Sequence, residues 1–286
     1  MRNYNLTKSG CTVNYFEFGN KNNLTIICFH GLVGNGFYSF SDIAFLLEKD
    51  FHLIIFDSPG HGKTSSFDKE SDYLFSALAR WYRQVIQQIL PKPFYIMGHS
   101  WGADLALHFT KHNPSDVLGT ILLDGGFTFP QNQLEMEFDY AIARWNDYMD
   151  RSVFTDLESI FEEYNTYTKK WDENKERYVA SLFKKKDVRF ELVASKFTVL
   201  SIIKAFFEEP FVEVYPFIKV PLLLIHATNP ENLDDARAIG ISRLKDHIDD
   251  LTVIPMEGAG HMLQWDEPNR TTNEVKKWIK EKSENK

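Results

Sequence analysis

Apolar residues follow two alternating rhythms along this chain. Short, nearly unbroken apolar runs at 24–29, 52–56, 94–97, 117–123, 221–226 and 251–256 have the signature of strands covered on both faces of a parallel sheet. Between them lie amphipathic stretches. One falls near 40–48, and another over 74–90 places Leu74, Leu78, Trp81, Val85 and Ile89 on a single stripe before Pro91 stops it. Helices are predicted at 234–245 and 274–282, with the polar end from Lys280 fraying. An early strand at 12–18 alternates like a half-exposed one. The expected fold is α/β: a mostly parallel sheet flanked by helices on both faces.

One region breaks the alternation. From about 127 to 215 the pattern is helical without strand interruptions. Leu134, Phe138, Ile142, Trp145 and Met149 form one stripe, and Phe197, Leu200, Ile203 and Phe207 form another. That is too long for a loop. The expected organisation is therefore a core of residues 1–126 and 216–286 with a helical cap, 127–215, inserted between two strands.

Composition narrows the function. The 286 residues are 43% hydrophobic and 25% charged, ordinary for a globular chain, with a high aromatic share of 15%. Those aromatics predict packing within the cap and a cavity partly lined by rings. A net charge of −8 argues against nucleic acid as a partner. Lys184-Lys185-Lys186 reads as a solvated face. Cys11 and Cys28 form no disulfide framework or metal-ligand pattern, so neither metal nor cofactor is expected. No apolar leader or membrane span is visible, which makes the cytoplasm the default expectation.

The chemistry concentrates at strand ends, where open α/β sheets bind ligands. Gly98-His99-Ser100-Trp101-Gly102 stands between the 94–97 run and a helical pattern starting at Ala103. In that setting G-x-S-x-G is a nucleophile elbow, a strand–turn–helix that exposes one serine. The Trp101 N–H, at a helix start, favours developing negative charge. A second oxyanion donor is needed, and the Leu32 N–H after His30-Gly31 supplies it. Gly258-Ala259-Gly260-His261 follows the last strand, and its imidazole can take the serine's proton. A lone histidine is more often structural: His30 and His99 read as loop and elbow packing, and His108 and His112 lie on a helix. For the acid, Asp124 closes the 117–123 strand ahead of Gly125-Gly126. Asp234 and Asp235 are the alternative, although they read as first-turn residues of a helix capped near Asn232.

With those pieces in place, the chain resembles the α/β-hydrolase superfamily over nearly its whole length. The resemblance rests on His30-Gly31, Asp57-Ser58-Pro59-Gly60-His61-Gly62, the elbow pentapeptide, and Gly260-His261 ahead of Trp265-Asp266-Glu267-Pro268. It implies an eight-stranded sheet with a helical lid after the sixth strand. It also implies Ser100 as nucleophile, His261 as base, and Leu32 and Trp101 as oxyanion donors. Pro230 stands where most relatives place the acid, so this chain looks like the minority that take it from the preceding strand. The resemblance implies hydrolysis of an ester or related acyl bond in a small, partly apolar substrate. C–C bond hydrolases and cofactor-free haloperoxidase-like members share the same triad. A ligand-binding or signalling protein on the same scaffold is the non-enzymatic alternative, and oligomeric state is left open. One further motif, Asp57 to Thr64, ends like a phosphate-binding loop but has Asp57 where that pattern needs glycine.

Overall fold

The computed structural model describes residues 2–8, 10–90 and 92–284; Pro91, the expected helix stop, and Met1 lie outside them. Eleven strands and ten α-helices follow one another in these residues. The first half runs β1 (Arg2–Lys8), β2 (Cys11–Phe18), β3 (Thr25–Phe29), α1 (Gly36–Leu47), β4 (His52–Phe56), α2 (Phe75–Ile89), β5 (Phe94–His99), α3 (Trp101–His112) and β6 (Val117–Leu123). Then come α4 (Phe138–Arg151), β7 (Val153–Phe154), α5 (Leu157–Asn165), α6 (Glu173–Ala180), β8 (Phe183–Lys186), β9 (Arg189–Leu192) and α7 (Lys196–Glu208). The chain closes with β10 (Leu222–Ala227), α8 (Asp234–His247), β11 (Leu251–Met256), α9 (Leu263–Asp266) and α10 (Pro268–Glu284).

Eight strands form one sheet in the order β1-β2-β4-β3-β5-β6-β10-β11. β1 and β2 are an antiparallel edge, β2 meets β4 antiparallel, and the other pairs are parallel. Because strand side chains alternate between faces, each unbroken apolar run divides between two cores. Ile27, Phe29, Ile54, Phe56 and Ile96 point toward α2 and α3. Ile26, Cys28, Leu53, Ile55 and Met97 point toward α1 and α10. Burial pushes the Cys28 thiol up, so it serves as a small apolar side chain.

The structure corrects several expectations. The buried face of α2 is Leu78, Ala79, Tyr82, Val85 and Ile86, rotated from the Trp81/Ile89 stripe, because Phe75 and Tyr82 reach the core. The α10 helix continues past Lys280 to Glu284. Asn232 does not cap α8: a short turn over Glu231–Leu233 precedes it and Leu233 is the residue at its start.

The 127–215 region is not uninterrupted helix. Three short strands make a second sheet, β7-β9-β8, whose polar lysines on the edge strand β8 had masked the pattern. The two predicted stripes are also displaced. Leu134 is exposed and lies outside α4, and the buried residues of α7 include Val199, Ile202, Ile203 and Phe206. The reason is that α7 is apolar on two sides. Phe206 meets Phe75 of the core while Phe207 meets Phe138 of α4. A third cluster, built from Ile160, Tyr164, Tyr178, Val179, Leu182 and Phe183, packs on Tyr38, Met262 and Trp265 of the main body.

Candidate active site

The strand β5 passes into α3 through Ser100, whose φ of 55° and ψ of −124° lie in a region that L residues rarely occupy. The turn closes only because its neighbours lack side chains. A Cβ on Gly98 would lie 2.0 Å from the Gly102 carbonyl oxygen, and one on Gly102 would lie 2.1 Å from that of Phe29. The backbone is fixed from both sides: Ser100 N–H donates to the Leu123 carbonyl at 3.0 Å, and Ala103 N–H to that of Ser100 at 2.8 Å. Trp101 begins α3, so its N–H has no partner within the helix.

Two glycine turns close on this serine. A Cβ on Gly31 would come within 3.2 Å of Ser100 Cβ, and one on Gly125 within 2.7 Å of Ser100 Cα. The first turn carries Leu32. It is closed by Gly34 N–H donating to Gly31 O at 3.1 Å, which leaves the Leu32 N–H outside the turn's own bond. His30 holds this turn. Its Nδ1 donates to Gly31 O at 2.7 Å, and its Nε2 accepts from Ser58 N–H at 2.9 Å.

The second turn carries Asp124. Its N–H donates to Ile225 O at 2.9 Å, and its Oδ1 accepts from Ala227 N–H at the same distance. Its Oδ2 accepts from His261 Nδ1 at 2.7 Å. Burial pushes the Asp124 carboxyl up. The imidazole of His261 and the Ala227 N–H outweigh that and bring it below its ordinary range. The His261 ring is 54% exposed against 12% for the Asp124 side chain, so one partner is embedded and the other reaches over from the rim.

The structure thus brings Asp124 and His261 together, and leaves Asp234 and Asp235 in the first turn of α8. Asp234 pairs with Arg237 at 2.7 Å. Ser100 and His261 are joined through His99: its ring lies 4.9 Å from that of His261, and its Nε2 donates to the His261 carbonyl at 3.0 Å. Among the described residues, the His261 side chain bonds to Asp124 and makes no hydrogen bond to Ser100 Oγ.

The phosphate-loop alternative fails on geometry. The Asp57 carboxylate is buried at the centre of that loop, accepting from Gly36 N–H at 2.9 Å, Lys63 N–H at 3.0 Å and Asn14 Nδ2 at 2.7 Å. The loop therefore wraps an anion of its own, and no helix follows over 65–69. No group of three or more metal-ligating side chains occurs among the described residues, and none of their helices is long and apolar enough to cross a membrane.

Comparison with known proteins agrees with this architecture. A family model described as alpha/beta hydrolase fold matches residues 25–268. The chain belongs to this family. A "Serine hydrolase-like protein" of Danio rerio is 32% identical over 99 residues, which is 35% of this chain and 30% of that protein. The "Uncharacterized hydrolase YugF" of Bacillus subtilis is 26% identical over 117 residues, covering 41% of this chain and 42% of that protein. The matched stretches thus span between 30% and 48% of these curated relatives' length. Among solved structures, E-2-(acetamidomethylene)succinate hydrolase superposes with a TM-score of 0.77 at 19% identity, covering 98% of this chain and 99% of that one. The thioesterase domain from the curacin biosynthetic pathway gives 0.74 at 17% identity, with 96% and 98% covered. At such identities these two show the fold alone.

Asp266 is the residue that sequence reasoning noticed without giving it work. It is 2% exposed and bonds both to the His261 loop and to the connection between α5 and α6. The available signal was an acid directly after the apolar Met262, Leu263 and Trp265, where burial without partners would be costly.

Proposed function

We propose that this chain is a serine hydrolase that cleaves a carboxylic ester or related acyl bond through an acyl-Ser100 intermediate. The 2.7 Å bond between His261 Nδ1 and Asp124 Oδ2, beside a serine on a strained elbow, carries the reading. With Nδ1 donating to the carboxylate, His261 Nε2 is free of its proton and can take one from Ser100 Oγ as the hydroxyl attacks the carbonyl. The tetrahedral oxyanion is held by the N–H groups of Leu32 and Trp101. His261 then protonates the leaving group, and water hydrolyses the acyl-enzyme by the same base. Asp124 keeps the tautomer and stabilises the imidazolium. Residues 127–215 act as the cap over this site, and their aromatic cluster against Val33 and Met262 favours a substrate with an apolar portion.

The test is hydrolysis of p-nitrophenyl esters of graded chain length beside Ser100→Ala, with fluorophosphonate labelling of the folded protein. Expected are serine-dependent release on part of the panel and a label on Ser100. Absence of both release and label would overturn the reading and favour a ligand-binding protein on this scaffold.

A further inference from the structure

The His261 loop lies beyond the end of β11 and takes no part in the sheet. Thr228 and Asn229 bond to Gly258 and Ala259, and His99 bonds to the His261 carbonyl; the remaining partners converge on one buried carboxylate. Asp266 Oδ2 accepts from Gly260 N–H at 2.8 Å, directly before His261. Asp266 Oδ1 accepts from Thr168 Oγ1 at 2.8 Å and from Lys169 N–H at 2.9 Å, both in the connection between α5 and α6. Lys170 Nζ donates to the Asp266 carbonyl at 2.8 Å, and Lys169 Nζ donates to the Gly258 carbonyl. One acid is therefore shared between the loop that aims the imidazole and the inserted segment.

We propose that Asp266 is a positioning residue that fastens residues 168–170 to Gly260, so that seating of the inserted segment aims His261 at Ser100. The proposal rests on the serine-hydrolase reading of the preceding subsection. The physical argument is charge satisfaction. A carboxylate 2% exposed needs its oxygens occupied, and each oxygen is served from a different side. Lifting the segment strips Oδ1 of both donors. The charge then draws on the one remaining backbone donor, Gly260 N–H, or on water, and the loop shifts. The imidazole is sensitive to such a shift because its ring is 54% exposed and bonds only to Asp124 among the described residues. The packing is arranged to make the seating stiff. Trp265 Nε1 donates to Tyr38 O at 3.1 Å, and Lys175 of α6 lies 5.6 Å over the Trp265 ring while pairing with Asp42 of α1 at 2.5 Å.

Two variants and two readouts test this. Asp266→Asn keeps the shape but turns an N–H₂ toward a donor. Thr168→Val leaves Asp266 and Gly260 in place and removes a bond from the segment side alone. The rate of fluorophosphonate labelling at Ser100 reports the alignment of His261, and amide hydrogen exchange over 258–263 reports the loop itself. In folded Asp266→Asn, labelling and kcat should fall about 10- to 100-fold, with KM changing far less, as expected for a misaimed base. Thr168→Val should slow labelling about threefold and raise exchange at Gly260 and His261, although residue 168 touches neither. Wild-type labelling in folded Asp266→Asn, or unchanged exchange over 258–263 in Thr168→Val, would overturn the proposal. If Asp266→Asn does not fold, Thr168→Val decides by both readouts. If wild-type Ser100 takes no label at all, the hydrolase reading falls, and the exchange experiment still decides whether the segment and the loop are tied.

Discussion

The serine and the acid are held in one way and the histidine in another. Ser100 and Asp124 leave adjacent parallel strands, and the backbone bonds of those strands run straight into them: Ser100 N–H to Leu123 O, Asp124 N–H to Ile225 O. Glycines at 98, 102 and 125 let the two turns press together until a single added methyl would collide with backbone. The His261 loop has no such ladder. It hangs on scattered bonds instead: the Asp266 and Lys169 side chains, Asn229 Nδ2 donating to Gly258 O at 2.9 Å, and one backbone bond from outside the loop, Asn229 N–H to Ala259 O at 3.0 Å. The side of the proposed nucleophile is therefore expected to break only with the fold. The side of the proposed base, His261, is expected to lose its aim while the fold survives.

The sharpest way to test that division is at the bond joining its two sides. Asp124→Asn keeps the turn but offers His261 the wrong hydrogen-bonding partner, so kcat/KM should fall about 10³- to 10⁴-fold with little loss of stability. Asp234→Asn, whose native carboxylate pairs with Arg237, should leave turnover near normal. The opposite pattern in ester-hydrolysis kinetics would move the acid to α8. Next in size is Gly102→Ala. Its new Cβ would sit 2.1 Å from the Phe29 carbonyl, with no flexible side chain to yield. The cost should be about 3 kcal/mol or more, seen as a lowered denaturation midpoint or as failure to fold. A folded, stable, inactive Gly102→Ala would contradict the idea that the serine side fails only by unfolding.

The same division explains what was legible in the sequence. Parallel strands buried on both faces advertise themselves as apolar runs, and the elbow announces itself by glycines whose spacing has a steric cause. Ser100, Asp124 and Leu32 could therefore be placed at strand ends from local patterns. The tertiary ties could not. The three bonds to the Asp266 carboxylate join residues 266, 260 and 168–169, and no local period links them. The three-stranded sheet within residues 127–215 leaves little trace in the sequence because β7 has two residues and β8 is three-quarters lysine, so no alternating apolar face is visible. The displaced stripe of α7 has a related cause: a helix packed on two sides has two apolar faces, and periodicity alone does not say which is deeper.

Acid offers the finest probe of the comparison, because the Ser100 side is lined with buried neutral histidines. His30 and His61 are fully buried, and His61 stacks on Trp101 with ring centroids 5.5 Å apart. Burial pulls His61 down to about 4. Burial, with repulsion from His261, pulls His99 down to about 3. The unfolded chain takes up a proton at each near pH 6.5, whereas the folded chain refuses it until these lower values. Between them the unfolded state binds more protons, so stability falls as pH falls from about 6.5 toward 4. Each such histidine contributes a slope of about 1.4 kcal/mol per pH unit. Asp124 has the same sign: its carboxyl is held below its ordinary range, and the stability it gives is lost as pH falls through the folded value, below the histidine window. His61→Phe keeps the ring on Trp101 and removes one titrating site. Denaturant unfolding at pH 6.5, 5.5 and 4.5 should then show a slope shallower by about 1.4 kcal/mol per pH unit than in the native protein. An unchanged slope would mean that the cluster beneath the elbow admits protons and water when acidified, and that the rigidity ascribed to the serine side does not extend to its floor.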